Sequence, residues 1–131
     1  MLKPLFKCLG GKRKIAAQIV ERMPDPSQYD TYIEPFVGAG AVFFQLWNQG
    51  RLKDKKVVLA DADPSIPLIL QAVQSDPAKL YEQLEYTARI YAEGDYTQRG
   101  QMFKNVRDRW NDDIIQNEAH EAMFLKATTF N

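Results

Sequence analysis

Apolar residues along this chain alternate between helical spacing and short unbroken runs, and the changes of period mark out the elements. Ile15, Ile19, Val20 and Met23 recur at three to four residues, which predicts a helix over 15–23. Pro24 and Pro26 end it, and Asp25-Pro-Ser-Gln has the composition of a turn. Tyr32-Ile-Glu-Pro-Phe-Val reads as a short strand running into Gly38-Ala-Gly40. Over 39–47 the run Ala41, Val42, Phe43, Phe44, Leu46 and Trp47 is dense enough for a buried helix, with Trp47 in the core. Gly50 stops that helix, and a charged loop covers 51–56. Val57-Val-Leu-Ala-Asp61 is a second strand, apolar throughout as expected when both faces are covered. Pro64 suits the first turn of a helix reaching about Gln74, with Ile66, Ile69, Leu70 and Val73 buried. Three further helical patterns follow over 77–92, 97–111 and 117–127. They are expected to bury Leu80, Leu84 and Ala88, then Phe103, Val106 and Trp110, then Ala119, Ala122 and Met123, with His120 on a helix surface.

The order is helix, strand, helix, strand, then helices alone. Two parallel strands joined through a helix form a βαβ unit, the building block of doubly wound α/β domains. The predicted class is therefore α/β, a partial Rossmann-like portion over 1–75 followed by a helical segment over 76–131. A stable sheet usually has three or more strands, so the remaining strands are expected outside these 131 residues.

Composition narrows the class without choosing a function. The chain is 45% hydrophobic and 26% charged, as ordinary globular domains are. No apolar run approaches the roughly 20 residues that cross a bilayer, and the basic N-terminus is not followed by the apolar stretch of a signal peptide. Cys8 is the only cysteine, so no internal disulfide forms, and a reducing cytoplasmic location is expected. Net charge is zero, whereas phosphate contacts normally leave a basic footprint. The charge is uneven, since Lys3, Lys7, Lys12, Arg13 and Lys14 stand in the first fourteen residues with no acid among them. A solvated basic arm accounts for this as well as a phosphate contact does.

The chemistry is concentrated at the two strand ends. Gly38 permits a tight turn, and Gly40 is expected to let the backbone approach a ligand closely. Asp61 ends the next strand at roughly the 20-residue distance where an acid meets ribose hydroxyls, so an adenosine could lie across both ends. The dinucleotide fingerprint would need glycine where Phe43 stands. S-adenosylmethionine has no pyrophosphate to cradle and is cationic at its methionine end, where Glu34 could offset the charge. S-adenosylmethionine is thus favoured over a nicotinamide or flavin dinucleotide, and a purely structural glycine turn is the plain alternative. Gly10-Gly-Lys12 is not a phosphate loop, because Phe6 and Arg13 stand where that motif needs glycine and Ser or Thr.

In combination these pieces resemble the Dam-type (D12 class) adenine-N6 DNA methyltransferases over essentially the whole chain. Lys7-Cys-Leu-Gly-Gly-Lys12 is similar to the family's N-terminal K-W-x-G-G-K motif, and Tyr32-Ile-Glu-Pro-Phe-Val-Gly-Ala-Gly-Ala-Val-Phe-Phe44 to its cofactor motif. Leu59-Ala-Asp-Ala-Asp-Pro64 resembles the acidic strand end, and Phe124-Leu-Lys-Ala-Thr-Thr-Phe-Asn131 the segment that reads roughly F-L-x-x-N-R-T-x-F-N-G. The resemblance implies a Rossmann-like S-adenosylmethionine-dependent domain followed by helices that begin the DNA-recognition region. It implies that Gly10, Gly11 and Lys12 line the methionine end of the cofactor, with Cys8 beside the cofactor at the family's Trp position. Glu34, Phe36, Gly38 and Gly40 would surround it, Asp61 would bind the ribose, and Asn131 would start a loop approaching double-stranded DNA. Lys12 has the alternative of a surface lysine, and Asp63 is the alternative to Asp61.

Two substitutions depart from the family. Cys8 replaces the usual Trp, which removes an aromatic wall beside the cofactor, and Lys126-Ala127 stands where N-R is expected. A larger departure is an absence. The family's catalytic Asp-Pro-Pro-Tyr accepts hydrogen bonds from the adenine amino group and stacks on an extruded base, a general device of enzymes that act on bases. Asp25-Pro-Ser, Asp63-Pro-Ser and Asp76-Pro-Ala all lack the second proline and the aromatic. No catalytic residue and no metal ligand is therefore expected here, and the 131-residue chain alone is expected to be an inactive N-terminal portion. The rival readings are a methyltransferase for RNA or a small molecule, a dinucleotide-binding oxidoreductase fragment, and a non-catalytic module. The last includes one subunit of a split enzyme whose second polypeptide carries the catalytic motif.

Overall fold

The computed structural model describes residues 1–7, 11–112 and 118–129. The chain forms two compact units, Met1–Ile66 and Pro67–Asn131. The division falls nine residues before the 75/76 boundary read from the order of elements, inside the helix that begins at Ser65.

In the first unit, a 3-10 turn (Lys12–Lys14) leads into α1 (Ala16–Glu21), which is followed by a second 3-10 turn (Pro26–Gln28), β1 (Thr31–Glu34), α2 (Ala41–Asn48) and β2 (Lys56–Leu59). The strands pair in parallel, Tyr32 opposite Val57 and Ile33 opposite Val58, and are the only strands among the described residues. Two-residue alternation turns Tyr32, Glu34, Val57 and Leu59 towards the protein, and Ile33 and Val58 to the open face. Val20, Tyr32, Val42 and Leu46 form the centre of the core between sheet and helices.

Polar groups fix the edges of this unit. The Arg51 guanidinium donates to the carbonyls of Val20, Met23 and Pro24, at the C-terminal end of α1 and in the turn that follows it. Asn48 exchanges two hydrogen bonds of 2.8 Å with the backbone of Leu2, which ties the N-terminal arm to the end of α2.

α3 (Ser65–Ser75) begins at the boundary between the units. The second unit continues with α4 (Pro77–Glu93), α5 (Tyr96–Asn111) and α6 (Ala119–Thr128). These three helices pack on one another around Val106 and Phe124, and Tyr91 meets the Phe124 ring edge-on at 5.3 Å between centroids. Asp95 and Gln98 form a reciprocal capping box at the start of α5.

The element order is the one read from the sequence, with ends shifted by at most three residues. Three side chains are placed differently. Trp47 is 54% exposed, because the buried stripe of α2 passes through Val42, Phe44 and Leu46 and leaves Trp47 beyond its edge. Ala88 is exposed, since the inward stripe of α4 runs through Leu80, Leu84, Thr87 and Tyr91, one position ahead of a strict four-residue repeat. His120 is only 16% exposed, with Nδ1 3.5 Å from a Glu118 carboxylate oxygen.

Each Asp-Pro pair starts a helical turn. Asp25 accepts from the Ser27 backbone, Asp63 from Ser65 and Asp76 from Lys79, at 2.9, 3.0 and 2.9 Å. The acid caps and the proline takes a first-turn position where no N–H is needed. All three aspartates therefore have a helix-starting role.

Candidate functional site

Register brings the two strand ends side by side. β1 and β2 end together at Glu34 and Leu59. Beyond that point the backbones stay linked, Ala60 N–H donating to the Glu34 carbonyl at 2.9 Å and Val37 N–H to the Ala60 carbonyl at 3.0 Å. Gly38 turns the chain at φ 51° and Gly40 at φ 78°, a region where a side chain is strained.

The Asp61 carboxylate bridges the two turns. One oxygen accepts from Gly38 N–H at 2.8 Å, the other from Asp63 N–H at 3.0 Å. Each oxygen can accept more than one bond, so the acid can hold the loops and still receive ligand hydroxyls. Asp63, the alternative ribose ligand, directs its carboxylate to Ser65 at the start of α3.

Glu34 stands at the same strand end. Its carboxylate accepts the Tyr32 hydroxyl at 2.6 Å and also the backbone N–H of Phe43, in the first turn of α2. Gly40 occupies the cap position of α2 and has no side chain to satisfy that end, and Glu34 does so from the strand. Burial raises the Glu34 pKa above the ordinary glutamate range, against the opposing effect of these two bonds and of Lys12. Burial also raises the Tyr32 hydroxyl, with its bond to Glu34 adding to the shift.

These groups border a cleft of about 520 Å³, within the size range of small-molecule sites. Gly11 and Lys12 line it from the N-terminal arm, Glu34, Phe36 and Gly38 from the first strand end, and Asp61 from the second. Phe36 is 78% exposed, an apolar ring facing open space. The residues present fit S-adenosylmethionine: an acid for hydroxyls, a half-buried acid for a cationic end, and an exposed ring for an apolar contact. Lys7 and Arg13 also border the cleft.

Gly40 is not among the lining residues. A Cβ there would come within 2.9 Å of the Phe44 ring, so packing inside α2 and the positive φ are what call for glycine, rather than close approach of a ligand. The expected roles of Cys8, Gly10 and Asn131 lie outside the described residues. Tyr32 was not singled out by sequence reasoning. Its signal was available, since two-residue alternation puts it on the face that carries Glu34. Among the described residues no cluster of three or more His, Cys, Asp or Glu is arranged for a metal, and no helix is long and apolar enough to cross a membrane.

A mixed, helix-rich chain with a parallel strand pair, a glycine turn after the first strand and an acid at each strand end is compatible with part of a methyltransferase domain. The chain belongs to the D12 class N6 adenine-specific DNA methyltransferase family, whose profile matches residues 9–131. It is 32% identical over 139 aligned positions to "Type II methyltransferase M.MjaIII" of Methanocaldococcus jannaschii, covering 99% of this chain and 47% of that protein. It is 34% identical over 83 positions to "Type II methyltransferase M1.LlaDCHI" of Lactococcus lactis subsp. cremoris, covering 63% of this chain and 26% of that protein. The chain thus spans about half the length of the first relative, and its aligned part covers about a quarter of the second.

Proposed function

We propose that this chain is the cofactor-holding part of a site-specific DNA adenine-N6 methyltransferase, a partial Rossmann-like domain that binds S-adenosylmethionine. The observation that carries the reading is the convergence at one cleft of Gly11 and Lys12, Glu34 to Gly38, and Asp61, three stretches well separated in sequence. Asp61 would take the ribose hydroxyls, Phe36 and Gly38 would flank the ligand, and Glu34 and Lys12 would meet its methionine end. The cofactor, when bound, supplies the methyl group.

Adenine's amino nitrogen is a poor nucleophile, because its lone pair is delocalised into the ring. Transfer needs the base extruded, aligned and hydrogen-bonded at that nitrogen. The Asp-Pro-Pro-Tyr segment that performs this in the family is not among these 131 residues. The helices after residue 75 would lead into the DNA-reading region, with double-stranded DNA as substrate and the catalytic segment supplied by sequence beyond this stretch or by a second polypeptide. Use of the three Asp-Pro carboxylates as helix and turn caps supports the view that none replaces the missing motif.

Calorimetric titration with S-adenosylmethionine tests the reading. Binding is expected in the wild-type chain, and Asp61→Ala should weaken it by on the order of 1–3 kcal/mol through lost hydroxyl bonds. Because Asp61 also holds the Gly38 turn, the Gly38 amide resonance should be followed in parallel. No binding by a folded wild-type chain would overturn the assignment, and equal affinity in the variant would remove Asp61 from the site.

A further inference from the structure

We propose that Tyr32 is a positioning residue for this cleft, its buried hydroxyl holding the Glu34 carboxylate in place as a fixed negative charge for the cationic end of the ligand. The inference rests on the S-adenosylmethionine reading and deepens it by assigning a role to a residue that does not line the cleft.

Strand geometry places the two residues together. Tyr32 and Glu34 are separated by one residue on β1, so their side chains leave the same face. Tyr32 is 8% exposed, its ring packed in the core among α1 and α2 residues, which gives the hydroxyl little freedom. The 2.6 Å separation is that of a charge-assisted O–H···O⁻ bond. Glutamate has three side-chain torsions, and the bonds from Tyr32 and Phe43 fix where its charge sits. Removing the hydroxyl leaves the Phe43 N–H as the remaining hydrogen bond that opposes the effect of burial on this acid.

Among the described residues the charged groups around the cleft are few. Lys12 and Arg13 come from the turn before α1, Lys7 from the arm, and Asp61 from the loop after β2, all bordering the same cleft. α2 has no titratable side chain, and Lys56 of β2 pairs with Thr31 at the opposite end of the strand. Tyr29 acts on Tyr32 rather than on Glu34. All of these remain in a Tyr32→Phe chain, so a difference between the two proteins reports on the hydroxyl.

The sign follows directly. A bond donated to the carboxylate favours its charged form, so Tyr32→Phe raises the Glu34 pKa further. S-adenosylmethionine affinity should fall on acidification as Glu34 takes up a proton, and the variant should fall off at a pH about one unit higher. Midway between the two midpoints the variant should bind about threefold more weakly, and the difference should narrow at higher pH. Glu34→Gln should lack this step.

The decisive experiment is the affinity of the full 131-residue chain for S-adenosylmethionine measured across pH for the wild type, Tyr32→Phe and Glu34→Gln. A displaced step in Tyr32→Phe and its absence in Glu34→Gln support the proposal. A loss that is uniform across pH, or superimposable profiles, overturns it and leaves Tyr32 a core residue only. Carboxyl-carbon NMR of Glu34 in the wild-type chain covers the case of a variant that fails to fold. Saturation with S-adenosylmethionine should lower the Glu34 midpoint, and an unmoved midpoint overturns the proposal. Failure of the wild-type chain to bind at any pH is the separate outcome that brings down the cofactor reading itself, and this inference with it.

Discussion

At the scale of single residues, two acids at adjacent strand ends have been given different surroundings. Asp61 receives two backbone N–H groups, whereas Glu34 is half-buried between a tyrosine hydroxyl and a helix start. Since the folded Glu34 pKa lies above its unfolded value, the folded state holds that proton more tightly. Its contribution to stability is present below the unfolded pKa and is lost as pH rises through the raised one. Glu34→Gln, which cannot ionise, should therefore gain stability relative to wild type as pH climbs from about 4 through that window. Thermal melts of both proteins at matched pH values measure this, and a constant difference would mean that Glu34 titrates alike in both states. The residues of the cleft were legible in sequence to the extent that each ended a strand or sat in a glycine turn. Tyr32 was missed because a tyrosine in a strand reads as core, and its hydroxyl acquires meaning only when the pleat sets it beside Glu34. The sequence also suggested a ligand-facing role for Gly40, whereas its surroundings belong to α2 itself.

At the scale of elements, helix starts carry much of the local definition. The three Asp-Pro pairs, the Asp95 box and the Glu34 bond to Phe43 each satisfy donors at a helix or turn N-terminus. The start of α2 is the most constrained, because its cap residue has a positive φ and lies against the Phe44 ring. Gly40→Ala should destabilise the chain by about 1–3 kcal/mol through backbone strain and that ring contact. Urea denaturation gives the difference, and an unchanged midpoint would mean that the turn relaxes at no cost. Element order could be read from periodicity because strands and helices bury residues at different spacings. The phase of α4 could not, since 80, 84 and 88 fit a helical stripe as well as 80, 84, 87 and 91 do. Trp47 likewise belongs to an apolar run whose width exceeds the face that α2 buries.

At the scale of the whole molecule, the proposed cofactor cleft lies in a sequence with no Asp-Pro-Pro-Tyr run. The 131-residue chain with S-adenosylmethionine should transfer no methyl group to adenine in DNA above background. Adding a polypeptide that contains the Asp-Pro-Pro-Tyr segment and the DNA-reading region should restore transfer. Radiolabelled methyl incorporation reads both results, and robust transfer by the chain alone would defeat the proposal. The sequence foretold a parallel pair short of partners, and the described residues have a two-stranded sheet. Its outer face presents Ile33 at 61% exposure beside Val58 at 38%. Unpaired strand edges and exposed apolar side chains favour association with other chains. In a cell that makes the chain with this face bare, chaperones and proteases compete for it, and ΔG differences of about 1–2 kcal/mol change abundance several-fold. Ile33 and Val58 would then govern how long each copy survives, making the chain's lifetime depend on how soon that face is covered.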